Sequence, residues 1–212
     1  MQNKNMRILI ADDHTIVRRG LLSILAIEFP NAVIAEAKDA VELLEKAATN
    51  KWDIIISDIS MPGGRSGIEV LTDLKQIAPK TPVLFLSSYT VEQYAVRTIK
   101  AGAAGYLTKQ EAPEELVKAV RQVLNGKKYI TMDIAELLAV SYDDDKPIHE
   151  SLSDREFEIL KLIAASKTVS EIAELLSVSV NTVATYRSRI LDKMNMTSNA
   201  QLVHYTITNK LF

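Results

Sequence analysis

Arg7-Ile-Leu-Ile-Ala-Asp-Asp13 and Ile54-Ile-Ile-Ser-Asp58 are two short apolar runs that each end in aspartate. Between them, and beyond the second, lie segments with apolar residues every three or four positions. That alternation is the pattern of strands buried on both faces between helices. Three more runs have the same form, at residues 32–37, 82–87 and 105–108. Residues 15–27, 39–49, 66–78, 91–101 and 114–124 space Leu, Ile, Val and Ala as amphipathic helices do. Right-handed crossovers through these units predict an α/β fold, a doubly wound five-stranded parallel sheet of order 2-1-3-4-5. In such a sheet ligands sit at the carboxyl ends of the strands.

The pattern changes after Asn125-Gly126, a helix stop. Residues 131–140 have room for one more helix. Tyr142-Asp-Asp-Asp-Lys-Pro-Ile-His149 is acidic, contains proline and has little to bury, so it reads as a linker. From residue 151 the strand signal is gone, and helices fit residues 153–164, 169–176, 180–194 and 199–208. Ser153-Asp-Arg-Glu156 is a capping-box sequence at the first of them. The expected division is a first domain over residues 1–127, a partly helical linker over 128–150, and a small all-α domain over 151–212.

A chain of 212 residues with 47% hydrophobic and 25% charged residues has material for two packed cores. Its net charge of −2 gives no whole-chain attraction to nucleic acid or anionic lipid, so such binding requires a local patch. The absence of Cys excludes disulfides, zinc knuckles and thiol nucleophiles. His14, His149 and His204 are too scattered in sequence to read as a metal cluster. No apolar run approaches the roughly 18 residues that span a bilayer, and the first seven residues lack an export pattern. A cytoplasmic protein with no membrane partner is expected.

Strands one and three are neighbours at the switch point of the predicted sheet, so Asp12, Asp13 and Asp58 converge there. Three carboxylates at close quarters raise one another's pKa or recruit a cation, and hard oxygen ligands suit Mg²⁺. Taken singly, each Asp reads as well as a cap of the loop or helix that follows. Ser87 closes strand four and Lys109 follows strand five, which adds a hydroxyl and an ammonium to the same crevice. Acid, hydroxyl, cation and metal together describe a phosphoryl site, where an Asp can accept the group covalently.

Those landmarks, with Asp58-Ile-Ser-Met-Pro62 and Gly105-Tyr-Leu-Thr-Lys109, resemble the receiver domain of bacterial two-component response regulators over residues 7–125. The resemblance implies a flavodoxin-like fold in which Asp58 accepts a phosphoryl group from a sensor histidine kinase. It implies that Asp12, Asp13, Asp58 and the backbone carbonyl of Ser60 hold Mg²⁺. Ser87 then corresponds to the switch hydroxyl, Tyr106 to the aromatic that rotates inward behind it, and Lys109 to the cation on the phosphoryl oxygens. Residues 91–108 correspond to the surface where the change is read. Family loops usually place a Gly eight positions past the acceptor; here Gly67 stands at nine. Ser87 rather than Ser88 follows from the register of Leu84-Phe-Leu-Ser87.

In the last 65 residues basic and acidic side chains balance, but from Leu176 onward Arg187, Arg189, Lys193 and Lys210 face Asp192 alone. Residues 169–176, a turn at 177–179 and residues 180–190 read as helix, tight turn, helix, the geometry that fits a major groove. Val183, Tyr186, Ile190 and Met194 recur on one face and are expected in the core. Asn181, Ala184, Thr185 and Ser188 then face outward toward base edges, and Thr182, Arg187, Arg189 and Lys193 toward phosphates of double-stranded DNA. A plain helical bundle with a basic face fits the charge count equally well. Leu152-Ser-Asp-Arg-Glu-Phe-Glu-Ile-Leu160, Glu171-Ile-Ala173 and Asn181-Thr-Val-Ala-Thr-Tyr-Arg-Ser-Arg-Ile190 resemble the LuxR-type helix-turn-helix of NarL/FixJ-class response regulators. That resemblance implies that Glu156 pairs with an arginine, Arg187 or Arg189. It also implies a homodimer, formed on phosphorylation or on DNA, through a last helix carrying Leu202, Val203 and Tyr205, a helix that reads equally as ordinary core.

The expected function is therefore a DNA-binding transcriptional response regulator, with no turnover beyond its own phosphorylation and dephosphorylation. Two rivals compete. An Asp-nucleophile phosphatase needs a second carboxylate two residues past the nucleophile, where Ser60 stands. A phosphorylation-independent DNA binder would keep the receiver only for docking.

Overall fold

The computed structural model describes residues 6–61, 66–88, 91–140 and 147–211. The loop residues 62–65 and the acidic heart of the expected linker, 141–146, lie outside the described residues. The chain forms two compact units, Met1–Leu138 and Ala139–Phe212.

In the first unit, β1 (Arg7–Ala11), β2 (Val33–Ala37), β3 (Ile54–Asp58), β4 (Val83–Ser87) and β5 (Gly105–Thr108) form one parallel sheet of order β2-β1-β3-β4-β5. Helices α1 (Thr15–Glu28), α2 (Ala40–Thr49), α3 (Gly67–Ile77), α4 (Val91–Lys100) and α5 (Ala112–Leu124) follow the strands in turn. The inner strands are apolar up to their carboxyl ends because both faces are covered, and β3 and β4 are buried at every position, their polar terminal residues Ser57, Asp58 and Ser87 included. Ile8, Ile10, Ile54, Ile56, Leu84, Leu86 and Leu107 pack on one face against Leu21 and Leu25 of α1 and Leu116, Val120 and Val123 of α5. Element ends differ from the periodicity by one or two residues, where a polar residue caps rather than joins the helix. Asp39 accepts from the Glu42 amide ahead of α2, and Ser66 from the Glu69 amide ahead of α3.

Gly67 opens α3 against the backbone that follows β3. A Cβ there would lie 2.5 Å from the Ile59 carbonyl oxygen, which already accepts the Gly67 amide at 2.9 Å. Only glycine allows that approach, so the position of the helix start, and not the loop before it, fixes where the glycine stands.

The helix expected at 131–140 is present as α6 (Met132–Val140), and within the second unit a 3₁₀ turn covers Ile148–Ser151. That unit holds α7 (Asp154–Ala164), α8 (Val169–Leu175), α9 (Val180–Lys193) and α10 (Asn199–Thr208). All seven glycines of the chain lie at or before Gly126, so these helices end without one. Ser166, Ser177, Asn195 and Lys210 take the left-handed conformation instead, and the residue after each closes back onto a carbonyl of the last turn. Among the described residues no helix is long and apolar enough to cross a membrane.

Candidate phosphoryl site and nucleic-acid interface

Because β1 and β3 pair in register, Ala11 opposite Ser57, the residues that follow each strand emerge side by side. Asp12 is fully buried. Its Oδ1 accepts the His14 amide at 2.7 Å, and its carbonyl accepts a guanidinium hydrogen from Arg18 at 2.7 Å. Arg18 is itself held by Glu36 of β2 at 2.6 Å, so the turn after β1 is fixed from both sides. Asp58 is buried at the end of β3, with Oδ1 accepting the Ser60 amide at 3.1 Å. Lys109 reaches in from the end of β5, its Nζ 2.5 Å from Asp58 Oδ2 and 2.8 Å from Asp12 Oδ2. Its backbone is anchored by the Ser87 carbonyl at 2.7 Å, and the turn beyond it is closed by Glu111, which accepts from both the amide and the hydroxyl of Thr108.

The charges here do not balance. One ammonium serves two buried carboxylates. Burial pushes Asp58 up to about 6 against the pull of Lys109, and the neighbouring Asp12 pushes in the same direction as burial. Lys109 is held above the ordinary lysine value: burial works against its charge, but Asp58 and Asp12 outweigh it. Excess negative charge on hard oxygens gathered in one place fits a small divalent cation such as Mg²⁺. One ligand atom from each of Asp12, Asp13, His14 and Asp58 lies within 4.8 Å of the others. His14 is the member that sequence separation concealed; the adjacency in Asp12-Asp13-His14 was the available signal. Ser87 and Tyr106 are fully buried on β4 and β5, while Ser88 is exposed. Ser60 forms an isolated bridge with Ser66 across the loop.

In the second unit α8 and α9 join through the turn at Ser177. Ser179 caps α9 by accepting from the Thr182 amide and shares a hydrogen bond with the Thr182 hydroxyl. Val183, Ile190 and Met194 are buried, and Tyr186 is half-buried rather than core. Asn181, Ala184, Thr185, Ser188 and Arg189 are exposed. The Thr185 hydroxyl donates to the Asn181 carbonyl.

Two expectations need correction. The partner of Glu156 is Lys193, at 2.6 Å, and not an arginine. Arg187 instead donates from Nε to Asn199 Oδ1 at 2.7 Å, at the start of α10. Lys193 sits one turn past Arg189, so it projects from the end of α9 over the start of α7, where Glu156 is held by its capping box with Ser153. Its ammonium is therefore engaged inside the domain rather than free for a phosphate. Of the two readings of the last helix, Leu202 fits ordinary core: it is fully buried in its own unit, where α10 packs on α7, while Val203 and Tyr205 are half-buried and the Tyr205 hydroxyl bonds His149 Nδ1 at 2.9 Å. Sequence periodicity also gave no sign of Arg155 and Glu158, a buried pair at 2.6 Å in which Arg155 further donates to the Leu176 carbonyl at the end of α8.

Comparison with known proteins matches residues 8–121 to the response regulator receiver domain and residues 150–206 to the luxR family of bacterial regulatory proteins. The chain is 37% identical over 215 residues to the oxygen regulatory protein NreC of Staphylococcus epidermidis, covering 97% of this chain and 99% of that protein. NreC of Staphylococcus carnosus is likewise 37% identical, over 97% of this chain and 99% of its own. Among solved structures, RcsB of Salmonella enterica serovar Typhimurium bound to promoter rprA in the presence of the phosphomimetic BeF3⁻ is similar at a TM-score of 0.64, with 26% identity over 95% of this chain and 98% of that one.

Proposed function

The chain belongs to the bacterial response regulators that join a receiver to a LuxR-type DNA-binding domain and is a DNA-binding two-component response regulator, from which we propose that Asp58 is its phosphoryl acceptor. The single observation that carries this reading is the pairing of a buried, charge-rich Asp58 with one shared lysine. With its carboxyl at about 6, Asp58 is mostly ionised at neutral pH and can attack phosphorus. One P–O bond forms to its carboxylate as the bond to the donor, the phosphohistidine of a sensor kinase, breaks and the imidazole leaves. Lys109 already touches Asp58 and can follow the added oxygens, offsetting their charge. Asp12, Asp13 and Asp58, with the Ser60 carbonyl, would hold Mg²⁺, which supplies charge neutralisation on the transferring oxygens. Ser87 would donate to the phosphoryl group, and Tyr106 would fill the space behind it.

The same reading assigns DNA contact to the exposed face of α9. Asn181, Ala184, Thr185 and Ser188 approach bases; Arg189 approaches a phosphate, with Thr182 and Arg187 at its edge. The structures of RcsB dimers on DNA support a homodimer here, and the family supports a cytoplasmic regulator whose only phosphoryl chemistry is on itself.

The test is uptake from acetyl phosphate with Mg²⁺, followed by intact mass, and then titration of promoter DNA with beryllofluoride. The intact chain gains one phosphoryl group and D58N gains none; undiminished uptake by D58N moves the acceptor elsewhere. Equal DNA affinity with and without beryllofluoride would favour the docking-only receiver.

A further inference from the structure

We infer that His14 is a ligand at the acidic site and biases it toward a late first-row divalent cation over Mg²⁺, an inference that rests on the metal reading above. The oxygens proposed there are all hard donors, which suit Mg²⁺. The turn after β1 adds an imidazole to them. His14 Nδ1 lies 2.8 Å from Asp13 Oδ1 and 3.3 Å from Asp12 Oδ1, on the side of Asp12 away from Lys109, which occupies Oδ2. The two oxygens of Asp12 thus have different neighbours, the Lys109 ammonium at Oδ2 and the His14 imidazole with Asp13 at Oδ1.

The spacing fits coordination. Ligands on opposite sides of an ion held at about 2.1 Å stand about 4.2 Å apart, and the four candidate atoms here already lie within 4.8 Å of one another. Side-chain shifts of a few tenths of an ångström close that gap, and they are available to His14. Its side chain is 63% exposed, makes no helix-capping bond, and stands at the N-cap of α1. Its backbone is the fixed part, since the amide donates to Asp12 Oδ1. Imidazole nitrogen favours Co²⁺, Ni²⁺ and Zn²⁺, whereas Mg²⁺ gains little from exchanging a water for it. A carboxylate set with one imidazole is therefore a mixed site, and its selectivity resides in residue 14.

The inference is tested by calorimetric titration of the untagged full chain with Zn²⁺ and with Mg²⁺, in the intact protein and in H14A. His149 and His204 are present in both, so their contribution cancels. Removing the imidazole is expected to lower Zn²⁺ affinity at least tenfold more than it lowers Mg²⁺ affinity. In the intact chain the His14 ring-proton resonances should move on Zn²⁺ addition and not on Mg²⁺ addition. Equal changes for the two ions, or tighter binding of both in H14A as expected if the imidazole only acts as a counterion to Asp13, overturn the inference while leaving the metal site standing. Absence of saturable Mg²⁺ binding to the intact chain overturns the metal reading itself, and this inference with it.

Discussion

Two carboxylate–lysine pairs in this molecule have nearly the same contact distance and opposite electrostatic character. Asp58 meets Lys109 at 2.5 Å and Glu156 meets Lys193 at 2.6 Å, and both carboxylates are buried. Burial raises both. For Asp58 it wins, because Lys109 is shared with Asp12 and that second carboxylate adds its own repulsion. For Glu156 it loses, because Lys193 is joined by the amide and hydroxyl of Ser153, and the carboxyl ends below its ordinary value. The contact alone does not distinguish the two; Asp58 lies deeper than Glu156, and depth of burial together with the donors available to each carboxylate decides which way it shifts. A buried acid with too few donors is poised to take up a cation or an electrophile, and one with enough is structural.

The largest effect expected from this contrast is on stability against pH. Asp58 has its carboxyl raised from 3.8 to about 6 in the fold, so the stability it contributes is present in full below about 3.8 and is lost as pH rises through about 6. In metal-free buffer D58N should therefore match the intact protein near pH 4 and exceed it by on the order of 2 kcal/mol at pH 7.5. Trp52, the single tryptophan, is buried in the receiver and reports that unit's urea midpoint. Curves that stay parallel across this range would place Asp58 among the satisfied acids. Glu156 should behave in the reverse sense: E156A removes a capping-box partner and the anion of the bridge, and costs about 2 kcal/mol, read by hydrogen exchange of α7 and α9 amides in the full chain. No loss of protection would reduce the bridge to a surface contact.

The smallest effect separates two basic residues on α9. Lys193 is 42% exposed and bound to Glu156, so K193A should cost about 1 kcal/mol in stability and leave the salt dependence of DNA binding unchanged. Arg189 is exposed, and R189A should lower the salt slope by about 0.9, the share of one phosphate contact, with stability within about 0.5 kcal/mol. A drop in slope on K193A would return that ammonium to the DNA.

The sheet and most helices were legible in the sequence because burial on both faces forces apolar runs whose period and length leave little choice. The acids were legible because strand ends at the switch point must converge. What the sequence hid depends on reach across space. Lys193 extends from the end of one helix to the start of another, a relation that carries no period. Leu202 lies on a helix whose two flanks look alike until its packing on α7 is known. Arg155 and Glu158 are charged and buried together, contrary to what composition suggests of either residue. His14 is distant in sequence from the other two histidines, and its relevant neighbours are the two acids beside it.

Glu156 closes the first turn of α7 with Ser153 and, through the same oxygen that takes the Ser153 amide, holds Lys193 at the far end of α9. Tilting α9 would thus loosen the start of α7 as well. One carboxylate oxygen keys the end of α9 to the start of α7.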